Sequence, residues 1–209
     1  MAKLIWDLIE DRRYEIGIDR GVLYTLSGSA VVWNGLVAVT ETGAPEAKSY
    51  YYQGRKVLER FVSGSYSGKI EAFTYPDVLD AITGIVSRSP GVRVHDSRLE
   101  PFHLTYRTRI GNPSSGIDYG YKIHLVYNLQ AVFDDVASKT LGENIDPTLF
   151  SWTISGMQKY LKSGSSQPLD HISIDSRFAD PSFLANLENQ LYGTPTTAPV
   201  IPAPATLIP

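Results

Sequence analysis

"FHLTYRTRIGNPSSGIDYGYKIHLVYN", residues 102–128, decides the fold. Before its loop, Phe102, Leu104, Tyr106, Thr108 and Ile110 alternate with His103, Thr105, Arg107 and Arg109. After it, Tyr119, Tyr121, Ile123, Leu125 and Tyr127 alternate with Lys122, His124, Val126 and Asn128. Successive side chains of an extended strand leave opposite faces, so a period of two marks each run as a strand. The loop "GNPSSGID" is made of turn formers. The stretch therefore predicts a long antiparallel hairpin with an apolar face and a wet face. Arg107, Arg109, Lys122 and His124 fall on the wet faces, which coincide if paired positions sum to an odd number. The period alone accounts for these four groups. They are read as a structural or subunit-interface face, not as a catalytic set.

The chain on either side keeps the same character. "RRYEIGIDRGVLYTL" (12–26) alternates with one wet face, and strand-like runs follow at "AVVW", "LVAVTE", "KSYYYQGRKVL", "SGKIEAFTY", "TLFSWTISG" and "LDHISIDS". Pro76 and Asp77 predict a short helix with Val78, Leu79 and Ile82 on its apolar side. "SRSPGVRVHDSR" (87–98) reads as a loop. Asp180 as N-cap, Pro181 at N1, Phe183, Leu187 and Leu191 spaced by four, and Gly193 as terminator predict a second helix. Residues 194–209 carry five prolines in sixteen positions and no period, which predicts an extended tail whose Val200, Ile201, Leu207 and Ile208 can dock on a partner. At the other end, Leu4, Ile5, Leu8 and Ile9 suggest a short helix or an arm lying on something apolar. The expected organisation is an arm (1–12), a β domain (13–193) and a proline-rich tail (194–209), with both ends mobile in a free subunit.

Composition narrows function. The 209 residues include 43% hydrophobic and 20% charged residues, enough for a real core. Thirteen tyrosines and three tryptophans favour strands. A net charge of −3 argues against a dedicated nucleic-acid binder. Without cysteine there are no disulfides, thiolate metal sites or cysteine nucleophiles. No apolar run nears the ~18 residues of a membrane span, and the N-terminus lacks the pattern of a signal peptide.

The usual catalytic patterns fail one by one. "GSYSGKI" (64–70) resembles a phosphate loop but is one residue short and has no Ser or Thr after Lys69. His95, His103, His124 and His171 lack HxH or HxxxH spacing, which argues against zinc. Asp134 and Asp135 are adjacent and point apart. Asp170, His171 and Asp175 are a possible triad fragment, but no serine sits in a GxSxG elbow. A carbohydrate hydrolase on a β-sandwich would need two converging carboxylates, and none can be assigned. The reading is therefore not an enzyme, with no cofactor and no metal. A cysteine-free aromatic β protein with apolar ends suggests self-assembly through arms and sheet edges.

In collinear order, several segments resemble the major tail tube protein of long-tailed, siphovirus-type phages, notably those of actinobacterial hosts. They are "RYEIGIDRGVLY" (13–24), "VVWNGLVAVTE" (31–41), "GKIEAFTYPDVL" (68–79), the hairpin (102–128), "LFSWTISG" (149–156), "DHISIDS" (170–176) and "LANLENQLYGT" (184–194). Residues 43–66 and the tail from 195 match loosely, and ring-to-ring contacts could lie there. The resemblance implies a mainly β (α+β) sandwich or barrel of the tail tube type, with one flanking helix and a C-terminal helix. It implies homo-hexameric rings stacked into a hollow tube around a tape-measure protein, with a tail terminator and distal tail or baseplate proteins as further partners. DNA would pass the lumen without specific binding, and the protein would reside in the virion tail after assembly in the host cytoplasm. Arg107, Arg109, Lys122 and His124 would then lie at a subunit contact, since a cationic lumen would retain phosphate. The alternative is a single-ring distal tail, terminator or head–tail connector protein on a related fold.

Overall fold

A computed structural model describes residues 6, 8–9, 12–42, 46–62, 66–96, 98–136, 140, 147–157 and 170–207. The protein is mainly β, as its composition predicts. The elements are β1 (Tyr14–Thr25), β2 (Ala30–Val32), β3 (Leu36–Thr42), β4 (Glu46–Tyr52), β5 (Arg55–Val62), β6 (Ser67–Ala72), α1 (Val78–Ile82), β7 (Ile85–Ser89) and β8 (Val92–His95). There follow β9 (Phe102–Asn112), β10 (Gly116–Phe133), β11 (Phe150–Gly156), β12 (His171–Asp175), α2 (Pro181–Tyr192) and α3 (Pro204–Leu207).

One antiparallel sheet runs β2-β1-β9-β10-β11-β6-β3, with β12 also paired to β10. Its spine is the predicted hairpin β9–β10. Strand β10 is 18 residues long and uses its second edge twice: residues 122–126 pair β12 and residues 129–133 pair β11. The two segments meet at Asn128, whose φ of 51° and the adjoining register shift turn the strand. Asparagine tolerates this left-handed conformation better than a β-branched residue would.

The core has two layers. Leu23, Ile70, Leu104, Tyr106, Val126, Leu129, Trp152 and Ile154 fill one cluster, where Trp33, Tyr75 and Phe133 pack edge-on around Trp152 at centroid distances of 5.5, 5.2 and 5.3 Å. Val22, Tyr24, Ile123, Leu125 and Tyr127 form the second, against Leu184, Leu187 and Leu191 of α2. Mid-sheet, β1, β9 and β10 are thus buried on both faces. The expected wet face of the hairpin survives only toward its loop.

Helix α2 starts and stops where predicted. Asp180 accepts from the backbone N–H of Ser182 (2.8 Å) and Phe183 (3.1 Å), and Gly193 takes φ 77° at the end. Its buried face uses Leu184; Phe183 is exposed. Three expectations are corrected. "SRSPGVRVHDSR" is not a loop: it contains the β7–β8 hairpin, turned by Gly91 at φ 78°. "KSYYYQGRKVL" is two strands, because Gln53 and Gly54 take φ of 48° and 74° and close a tight hairpin turn. The tail docks on its own chain, with Ile201 and Leu207 against the second cluster and Pro202 accepting from the Tyr127 hydroxyl at 3.0 Å. Most of the expected arm 1–12 lies outside the described residues.

Candidate functional site

The register decides what becomes of the four basic residues. From Gly120↔Ile110 to Val126↔Leu104 every pair sums to an even number. Arg107 and Arg109 therefore share a face with Tyr121 and Ile123, while Lys122 and His124 share the opposite face with Tyr106 and Thr108. The single basic face expected from the odd register is corrected to two pairs. Each cation also has a partner in its own chain. Arg107 donates to both Asp19 oxygens (2.6 and 2.8 Å) and stacks over the Tyr121 ring at 4.8 Å. Arg109 reaches Asp19 Oδ2 at 3.0 Å, and Lys122 pairs with Glu15. The Arg107 hydrogen bond, with help from Arg109, holds the Asp19 carboxyl below its ordinary range despite partial burial.

On the other face a polar chain crosses four strands. His124 Nε2 lies 3.0 Å from Thr108 Oγ1, and its Nδ1 lies 3.1 Å from His171 Nε2. His171 Nδ1 is 3.4 Å from Glu41 Oε2, and the Tyr106 hydroxyl donates to Glu41 Oε1. One proton placement satisfies every member: Thr108 donates to His124, His124 to His171, and His171 and Tyr106 to Glu41. Both imidazoles are neutral in that arrangement. Burial, then the His171 charge, push His124 down to about 4, and burial lowers His171 against the pull of Glu41. The His124 ring stacks on Tyr106 at 4.6 Å with 4° between planes. An open depression of about 410 Å3, lined by Ile18, Val37, Val39, Glu41, Thr108 and His124, exposes one side of the chain.

The sequence reading missed this group. Histidine spacing within elements says nothing of it, because β3, β9, β10 and β12 bring Glu41, Tyr106, Thr108, His124 and His171 together only where the sheet folds back on itself. The triad fragment does not form: His171 faces Glu41, and Asp175 is held by Arg177 at 2.9 Å. Asp134 accepts from Ser151 and Thr153 at 2.9 and 2.7 Å, which is a strand-to-loop tie.

A second candidate surface is apolar. Strands β4 and β5 form a separate two-stranded ribbon, paired from Glu46↔Val62 to Tyr52↔Arg55. It continues in sequence from the ends of β3 and β6, which pair at Thr42↔Ser67. Tyr50, Tyr51, Tyr52, Val57 and Leu58 are each more than half exposed on it. A lone two-stranded hairpin is marginal in water, and aromatic side chains displayed on one are suited to burial against another surface.

No family model matches the chain, and no curated protein matches it. Among solved structures it is similar to a chain of the sheath–tube complex of the extracellular contractile injection system PVC in its extended state. That likeness has 12% identity and a TM-score of 0.39, and covers 74% of this chain and 88% of that one. A likeness this low leaves function to the residues. Among the described residues no helix is long and apolar enough to cross a membrane.

Proposed function

We propose that the chain is a structural subunit that polymerises as stacked, hexameric rings into the hollow tail tube of a long-tailed phage. The observation that carries the reading is the β4–β5 ribbon, which displays Tyr50, Tyr51, Tyr52, Val57 and Leu58 on an element its own body leaves exposed. It coincides with residues 43–66, one of the two stretches where the ordered sequence resemblance to tail tube proteins is loose and leaves room for ring-to-ring contacts. The outermost strands of the sheet, β2 and β3, each offer an edge for pairing with a neighbour. Tape-measure, terminator and distal tail proteins are the partners this role implies, with DNA passing through unbound. The functional reading involves no catalysis.

The test is negative-stain microscopy of purified protein alongside a variant in which residues 46–62 are replaced by a short Gly-Ser turn. Wild-type protein should form long hollow filaments, and the variant should stay folded but unpolymerised. Filaments of normal length from the variant would overturn the ribbon's role. Single closed rings from the wild type would favour a distal tail or terminator protein instead.

A further inference from the structure

Glu41, His124 and His171 each offer a ligand atom, and these atoms lie within 4.8 Å of one another. A tetrahedral zinc ion with bonds of about 2.1 Å separates its ligand atoms by about 3.4 Å. The 3.1 Å between His124 Nδ1 and His171 Nε2 already suits two ligands of one ion. Glu41 lies on an outer strand with 31% of its side chain exposed, and turning it from His171 Nδ1 toward the ion supplies the remaining movement. Two imidazoles and a carboxylate, with no thiolate, form a donor set for zinc and its first-row neighbours rather than for calcium or magnesium.

A second observation points to the same place. Tyr66 is 8% exposed, and its hydroxyl is buried without a hydrogen-bond partner. It packs against His171 at 5.8 Å between ring centroids and lies close enough to Glu41 to feel its charge. A buried, unpartnered donor beside a carboxylate is an outer-shell group in waiting.

We infer that Glu41, His124 and His171 form a binding site for one divalent first-row cation of the zinc type, reached from the depression beside Thr108. On binding, the ring proton of His124 moves from Nδ1 to Nε2, where Thr108 Oγ1 accepts it and turns its own O–H to the open depression, and Glu41 leaves the His171 Nδ1–H for the ion. The ion would clip β3 to β10 and β12, linking the outer strand that leads to the β4–β5 ribbon to the middle of the sheet. This inference stands independently of the tail tube reading.

The experiment uses the full chain without a histidine tag, stripped with chelator and titrated calorimetrically with zinc chloride, with thermal melts in parallel. One zinc per chain and a raised Tm are expected, and Co2+ in its place should give a visible absorption band. Glu41→Gln and His171→Asn should each weaken zinc binding at least about tenfold and remove the cobalt band. His95→Ala, altering an exposed histidine elsewhere, should change neither. Should His171→Asn fail to fold by circular dichroism, Glu41→Gln decides alone, because glutamine keeps the shape of the side chain and an oxygen that accepts from Tyr106. Absence of zinc binding by wild-type protein would overturn the inference, and so would equal affinity and an unchanged cobalt band in Glu41→Gln.

Discussion

Asp19 is where a single residue decides between fold and assembly. It binds Arg107 and Arg109 at once, with only 26% of its side chain exposed and 12% of Arg107's. Breaking a buried pair costs about 3–5 kcal/mol, and Asp19's partial exposure brings the expectation for Asp19→Asn to about 2 kcal/mol. Because the carboxyl is held below its unfolded value, its contribution is complete above about pH 4 and disappears as pH falls through the lower folded value. Melts of wild type and Asp19→Asn should therefore differ most near neutrality and converge at low pH; a constant gap would exclude the pairing. Arg107→Glu should likewise lower the Tm of the monomer, not only its assembly, since its partner lies in the same chain. Little of this was legible in the sequence. Alternation placed Arg107 and Arg109 on one face of their strand, but the even parity of the register is set at the turn, where Gly116 pairs Asn112, and the later slip before Gly120 keeps it. Glu41 and His171 were harder still, because no local period relates β3 to β12.

At the level of elements, the sequence was clear wherever a signal was local. The cap at Asp180 and the leucines of α2 needed only one turn of helix to be recognised. Asp180→Ala should lower the urea midpoint of unfolding, as the N–H groups of Ser182 and Phe183 lose their acceptor. The two missed hairpins show the reverse case. In "KSYYYQGRKVL" the turn is two residues inside a run that looks continuous, and in "SRSPGVRVHDSR" turn formers and charges hide two short strands. In the β4–β5 ribbon, Gly54 at φ 74° has open space around it, so a side chain there meets no clash but must accept a strained backbone. Gly54→Val should unsettle the ribbon by about 1–2 kcal/mol while leaving the Tm of the body nearly unchanged. Hydrogen exchange would detect it as faster exchange confined to residues 46–62, and filament yield should fall with it.

Across the whole molecule the two ends of the β domain are sewn together late. The Tyr24 hydroxyl donates to the Leu191 carbonyl at 2.6 Å, Tyr127 to that of Pro202, and Val200 N–H to the Gln190 carbonyl at 2.8 Å. The proline-rich composition of 194–209 predicted an unattached tail because no period marks a segment that docks by isolated contacts. Removing residues 194–209 should uncover Tyr127 and Leu191, lower the Tm and open the monomer to protease, whereas a free tail would leave all three unchanged. There is a consequence for synthesis. β1 is made early, but its outer face is covered only by α2 and the tail, so its burial waits for segments about 160 residues further along the sequence. Synthesis therefore runs ahead of burial: Val22 and Tyr24 exist long before Leu184, Leu187 and Leu191 can cover them.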